Sequence, residues 1–318
     1  MSEIVITENV PCALGCEEND CFVLTGHDRL HDLAGEFNIV KCQTCGLMRT
    51  NPRPTTDSIG FYYPDDYGPY LGTKVQSVDF ERSSGIKSFL RPLVRRIFDS
   101  KSTALPPLPI GRVLEIGCAS GSFLNKMAGE GWQVEGIEFS EKAAREAERF
   151  GHKVHAGSLE TAPTPKQAYD LIVGWMVLEH LHDPVGCLKK LHNWAKPGAW
   201  LALSVPNADA LGFRVFKEKW HDLHLPNHLY HFTPVSLAKL LEANGWTITK
   251  VHHQITLNNL IISQANALED KGWCKSAKWL RNIAGLGGIW YYLMFPLAWM
   301  LSVFKQTGRI TVWARNID

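Results

Sequence analysis

Charge of either sign is scarce in this chain. Only 20% of its residues are Asp, Glu, Lys or Arg, and 33 basic against 32 acidic side chains leave a formal net charge of +1. No broad field exists to gather nucleic acid, so binding of that kind would need a local basic patch. The N-terminal segment carries no interleaved basic and aromatic stripe of the sort that tracks a single strand, and no nucleic-acid partner is expected. A secretory start is missing as well. MSEIVITENV is short and acidic, without a basic region, apolar run and small-residue cleavage site, so the expected location is cytoplasmic. Internal repeats and low-complexity runs are absent, which excludes solenoids and fibres. Disorder is excluded in turn, because 45% of the residues are hydrophobic. A length of 318 residues accommodates one large domain and a smaller one.

What is present is unevenly placed. Five of the eight cysteines, Cys12, Cys16, Cys21, Cys42 and Cys45, fall in the first 45 residues. In a reducing compartment such a cluster points to metal more than to disulfides. IVKCQTCGL is a strand-like run leading into C-x-x-C-Gly, the form of a zinc knuckle in which a tight turn lets two thiolates meet one tetrahedral ion. Its partner upstream is Cys12-Ala-Leu-Gly-Cys16. The expected ligands are Cys12, Cys16, Cys42 and Cys45, with Cys21 and His27 as competitors for the second position. A small segment with few large apolar residues also needs such a staple to fold.

Residues 51–70, NPRPTTDSIGFYYPDDYGPY, read as a structured loop. GIKSFLRPLVRRIF then predicts an amphipathic helix whose Arg91, Arg95 and Arg96 form a solvated face, with phosphate or membrane contact as the alternative, and Leu105-Pro-Pro-Leu-Pro109 breaks it. The expected organisation is a zinc-ribbon-like head with a Pro/Tyr-rich loop over 1–74, a helical linker over 75–109 and a catalytic domain over 110–318. After Gly111 the pattern alternates. RVLEIG, QVEGIEF, KVHAG, YDLIVGW and WLALSV read as strands, and SFLNKMAGEG, SEKAAREAERFG and DPVGCLKKLHNWAKPG as helices, the last with Asp183 as N-cap and Pro184 at its first position. A further helix starts at Thr233-Pro234. Alternation of this kind means an α/β fold, a doubly wound and mostly parallel sheet.

The segment that carries chemistry is Val113-Leu-Glu-Ile-Gly-Cys-Ala-Ser-Gly121, a strand passing into a glycine loop that opens a helix. Glycine there lets backbone approach a ligand that a Cβ would push away. Ala119 and Ser122 occupy the later glycine positions of the dinucleotide fingerprint, leaving Glu-x-Gly-x-x-x-Gly. This resembles the first motif of class I S-adenosylmethionine-dependent methyltransferases, and VEGIEFS, GSLE, YDLIVGWMVLEHLHDP and KPGAWLALSVPN resemble the following ones in order. CGLMRTNPRPT, FYYPDDYGPY and HLPNHLYHFTPVSLAKLLEANGW are similar to a branch of that family with a zinc-ribbon-like head. The resemblance implies a Rossmann-like fold and S-adenosylmethionine as cofactor. It implies Glu115, Gly117, Cys118, Ala119 and Gly121 at the methionine end and Glu138 with Phe139 at the ribose. Ser158 and Leu159 would lie at the adenine, where the family usually has an Asp, and Trp175 would lie on the substrate side.

Methyl transfer to a hydroxyl needs a base, and histidine suits neutral pH. His180 and His182 follow the fourth strand, and His221, His224, His228 and His231 form one cluster. The expected catalytic residues are His180, His228 and His231, with loop anchoring and aromatic packing as the alternatives. Glu179-His180 is similar to a pair that helps hold a divalent ion in quinone-precursor O-methyltransferases, but Met176 stands where a further acid would. The resemblance implies a small-molecule acceptor, a hydroxyl of a sugar, glycan precursor or lipid-like metabolite. C-methylation of a nucleotide-linked keto-sugar, or a non-catalytic scaffold with a zinc-dependent interaction head, are the rival readings. Finally, Ile283–Phe304 holds no charged side chain over 22 positions. Glycines and Pro296 interrupt it, and RITVWARN reads as the last strand, antiparallel to WTITKVHHQI. The stretch is therefore expected as two apolar helical pieces within an insertion over about 257–305. These would cover an apolar site, make a homodimer contact or lie on a membrane surface.

Overall fold

The computed structural model describes residues 5–64, 99–285 and 289–317. The amphipathic helix expected around residues 85–98, and the end of the Tyr-rich loop, lie outside the described residues.

A seven-stranded sheet forms the centre. Its strands are β6 (Arg112–Ile116), β7 (Gln133–Glu138), β8 (Lys153–Ala156), β9 (Tyr169–Trp175), β10 (Ala195–Pro206), β12 (Trp246–His253) and β13 (Arg309–Asn316). They lie in the order β12-β13-β10-β9-β6-β7-β8, and only β13 runs antiparallel to its neighbours. Val113, Leu171, Ile172 and Val173 are fully buried. A strand covered on both faces reads as a continuous apolar run, which is how VLEI and DLIV appear in the sequence. Helices α1 (Ser122–Gly129), α2 (Glu141–Arg149), α3 (Pro184–Trp194) and α5 (Pro234–Glu242) supply the covering layers. Their starts are chemical. Asp183 accepts from the Gly186 amide at 2.9 Å, and Thr233 and Ser236 close a reciprocal capping box. The chain winds from β6 to β7 and β8 on one side, then to β9 and β10 on the other. The strand order therefore reverses between β6 and β9, where open α/β sheets bind ligands.

The cysteine-bearing head is a second sheet. Strands β2 (Asp20–His27), β3 (Glu36–Cys42) and β4 (Met48–Thr50) pair antiparallel, while the short β1 (Thr7–Glu8) pairs with β5 (Arg53–Pro54). The fourth strand of the head sheet, β11 (Tyr230–His231), comes from the chain after β10 and short α4 (Leu211–Phe216). One apolar core runs from Cys12, Ile39 and Leu47 in the head to Leu237, Trp246 and Ile310 in the large sheet. Between β12 and β13 stand three helices, α6 (Asn258–Glu269), α7 (Cys274–Gly285) and α8 (Ile289–Val303). The uncharged run covers the end of α7 and all of α8, and α6 precedes it. Among the described residues no helix is long and apolar enough to cross a membrane.

Candidate functional site

At the end of β6 the chain turns through Gly117, Ala119 and Gly121, with φ of +67°, +46° and +81°. A Cβ on Gly117 would strike the Val177 side chain, so glycine is required there for space as well as for its left-handed backbone. The carboxylate of Glu138, at the end of β7, holds this turn. One oxygen accepts from the Ala119 amide and the other from the Ser140 amide, each at 2.8 Å. Burial pushes its pKa up, against the pull of those same amides. Glu115 lies deeper. Burial, and then the neighbouring Glu138 charge, push it well above the usual carboxylate range, and its Oε2 has no hydrogen-bond partner among the described residues. Phe139 is exposed beside Glu138, and Trp175 ends β9 with its ring edge-on to Phe123 at 5.3 Å.

These elements open on a cavity of about 1390 Å³. Gly117, Ala119, Glu138, Phe139, Ser158, Leu159 and Trp175 line one end, while Glu115, Cys118 and Gly121 stand behind its wall. Ser158 takes part in a local turn, its Oγ accepting from the Thr161 amide at 3.3 Å. His180, His224, His228, Trp220 and Arg309 line the other end. His27, Arg29, Leu30, Ile59 and Tyr63 of the head, and Ile262, Asn266 and Arg281 of the insertion, complete it. The cavity thus has three walls, from the large sheet, the head and the insertion.

The histidines are tied together. Nδ1 of His228 lies 2.9 Å from the Asp222 carbonyl and therefore carries a proton, which leaves Nε2 as an acceptor facing Nδ1 of His224 at 3.3 Å. Nδ1 of His180 lies 3.0 Å from the Asn227 carbonyl and 2.8 Å from the Tyr63 hydroxyl. Burial brings His180 down to about 4, and burial together with the neighbouring imidazoles holds His224 and His228 well below the ordinary value. All three are neutral at pH 7. His231 does not line the cavity. It is buried in β11, its Nε2 donating to the Thr50 hydroxyl at 3.2 Å, since that hydroxyl gives its own proton to the His228 carbonyl. Glu179, fully buried, has no hydrogen-bond partner on either oxygen among the described residues, and burial raises it to about 8. Its carboxylate, His180 and His228 each offer a ligand atom within 4.8 Å of one another, a donor set that could hold a divalent ion. Sequence reasoning missed Tyr63 and Arg309 at this site. Tyr63 stood in a recognised aromatic run, but nothing local ties it to a histidine 117 positions away.

In the head, the sulfurs of Cys12, Cys16, Cys42 and Cys45 lie within 4.8 Å of one another, with Cys12 and Cys45 at 3.4 Å. Four thiolates about 2.3 Å from one ion would be about 3.8 Å apart, so the set can close on a tetrahedral metal. Burial works against the Cys42 thiolate, but the Cys45 amide and thiol and the Thr44 amide outweigh it and bring Cys42 to about 7. Cys21 is exposed and bonded to the Lys41 carbonyl, and His27 faces the large cavity.

Residues 84–251 match a family model described as a methyltransferase domain. The ubiquinone biosynthesis O-methyltransferase of Nitrosospira multiformis is 35% identical over 102 residues, covering 30% of this chain and 43% of that protein. Its Burkholderia thailandensis counterpart is 26% identical over 175 residues, 48% of this chain and 75% of that protein. The chain spans about half the length of most of these relatives. Among solved structures, an S-adenosylmethionine-dependent methyltransferase from Mesorhizobium loti superposes with a TM-score of 0.44 at 16% identity, over 71% of this chain and 97% of that one. Magnesium protoporphyrin IX methyltransferase from Synechocystis gives 0.42 at 18% identity, over 73% and 88%.

Proposed function

The chain belongs to the S-adenosylmethionine-dependent methyltransferase family, and from that premise we propose that it transfers a methyl group to a hydroxyl of a small acceptor, a sugar, glycan precursor or lipid-like metabolite. One observation carries the reading. A single cavity joins the glycine turn and Glu138 at one end to neutral, buried histidines at the other.

The residues present fit the cofactor. Gly117 and Ala119 bring the turn's backbone to the cavity wall, Glu138 offers carboxylate lone pairs to vicinal hydroxyls, and Trp175 on the same wall has a buried Nε1 without a partner among the described residues. When bound, the cofactor supplies a methyl group on a sulfonium that already leaves well. The chain then has to align the acceptor, exclude water and take one proton. His224 is placed for the proton. With its Nδ1–H donated to His228, its Nε2 holds the lone pair, and His228 in turn rests on the Asp222 carbonyl. A proton gained at His224 can move to His228 along this line. His180, held by Tyr63 and Asn227, is the second candidate base. His231 supports the head sheet instead. We assign zinc to the four-cysteine cluster as a structural ion.

The first experiment is calorimetric titration with S-adenosylmethionine and its demethylated product, followed by turnover assays over sugar, lipid and quinone-type acceptors. Micromolar cofactor binding is expected, with His228→Ala or His180→Ala lowering turnover about 10²-fold or more while cofactor affinity stays within about two-fold. A folded, metal-loaded protein that binds neither ligand would refute the enzyme reading. Full turnover in His224→Ala as well as in the His228 and His180 variants would remove the histidines from it.

A further inference from the structure

We propose that the outer face of the β12–β13 insertion docks on an anionic lipid bilayer and lies along its surface without crossing it. On the inner side of α8, Met294, Phe295, Ala298 and Leu301 pack on Ile255, Leu257, Leu260 and Ile261, and the Ser302 hydroxyl donates to the His253 carbonyl at 2.7 Å. Among the described residues the outer side has no such cover. Leu293, Leu297, Met300 and Phe304 follow one another at helical spacing, with Trp299 and Val303 beside them, and their exposures run from 43% to 67%. A 15-residue helix is about 22 Å long, short of the roughly 30 Å of a hydrocarbon core, and its inner face is fixed to the protein.

The charge pattern selects the occupant. From Lys271 to Ile317 the sequence has seven basic residues and no acidic one, whereas the rest of the chain carries 26 basic against 32 acidic. Of these seven, Arg281 pairs with Glu269, Arg309 with Asp222, and Arg315 bonds the Gly198 carbonyl, so the exposed lysines Lys271, Lys275, Lys278 and Lys305 carry the positive charge of the segment that also exposes its apolar side chains. On α7 the exposed Lys275 and Lys278 flank the exposed Trp279, and exposed Lys305 follows Phe304. Indole rings seat at the headgroup level, and lysines keep their ammonium groups among anionic headgroups while their stems follow the apolar surface. A second copy of this chain suits the face less well. In a two-fold dimer the same exposed lysines would meet one another. A cavity of about 280 Å³ lies under the inner side of α8, lined by Met294, Phe295 and Ala298, and shares Ala284 and Gly285 with the large cavity.

The test is flotation of the full chain with vesicles of phosphatidylcholine alone or with about one third phosphatidylglycerol. The expected result is capture by the anionic vesicles about ten-fold or more above the neutral ones, weakened by salt. Leu297→Asp with Met300→Asp should abolish capture at an unchanged thermal midpoint. Lys275→Glu with Lys278→Glu should lower it about ten-fold, and this pair decides the matter if the first fails to fold. Absence of capture by anionic vesicles at low salt would overturn the proposal. So would capture indifferent to both pairs, or a solution dimer that the Leu297/Met300 pair dissociates in a protein without lipid affinity. Flotation needs neither cofactor nor acceptor, so its outcome is separate from that of the methyl-transfer assays.

Discussion

Glu138 serves two demands with one carboxylate. Its oxygens are acceptors for the Ala119 and Ser140 amides, and the same carboxylate lines the cavity beside the glycine turn. If the carboxylate also holds the ribose, as proposed, it cannot be replaced without moving the loop that it folds. Hydrogen bonds to a charged group contribute about 1.5–3 kcal/mol each, so two lost together exceed one lost ligand contact. Glu138→Ala is therefore expected to weaken S-adenosylhomocysteine binding about 10²-fold and to lower the thermal midpoint as well. Glu138→Gln keeps one amide partnership and should lose about ten-fold with a smaller thermal effect. Calorimetry and thermal unfolding of the two variants measure both quantities. A Glu138→Ala protein with native affinity would show that the carboxylate serves the turn alone.

At the scale of elements, β11 is the instructive case. Two residues, Tyr230 and His231, pair with Arg49 and Met48 and so close the head sheet. His231 is buried there, and burial takes its imidazole down to about 3. A folded pKa below the unfolded value of about 6.5 means that the neutral residue's contribution is full above that value and is lost as pH falls toward 3. Between about pH 7 and about pH 5 the loss from this one group is on the order of 2 kcal/mol. His231→Gln, which can still donate to Thr50, should flatten the fall in thermal midpoint over that interval, leaving the share due to His180, His224 and His228. An unchanged pH profile would mean that water reaches His231. The strand itself was not legible in the sequence. Two residues carry no period, and the partner lies some 180 positions away. The central strands were legible because burial on both faces writes them as unbroken Val, Ile and Leu, and helix starts because Asp183 and Thr233 are caps with Pro next to them. The glycine turn was legible for a steric reason, since Gly117 must be glycine. The Tyr63–His180 and His224–His228 contacts were not, because tertiary packing decides which of thirteen histidines meet.

For the whole molecule, the head is built into the histidine end of the cavity. It contributes His27, Arg29, Leu30, Ile59 and Tyr63 to the wall and takes β11 from the catalytic chain. It is also latched to the insertion. The Arg29 guanidinium binds both Asp270 oxygens at 2.9 Å and the Glu218 carbonyl at 3.2 Å, and Lys239 donates to the Cys45 carbonyl at 3.1 Å beside the cysteine cluster. None of these contacts touches the glycine turn or Glu138. If zinc holds the four cysteines, its removal loosens one end of the cavity and spares the other. Stripping the metal with a chelator, or Cys42→Ser, should lower the thermal midpoint by several degrees, as expected when a structural metal site is lost. The KM for the acceptor should rise about ten-fold or more while S-adenosylhomocysteine affinity stays within about two-fold. Metal analysis, calorimetry and steady-state kinetics on the same sample separate these effects. Cofactor affinity falling in step with acceptor KM would mean that head and catalytic sheet unfold together as one unit, as their shared core from Ile39 to Ile310 allows. An unchanged midpoint after complete metal removal would show that this core holds the head without any ion.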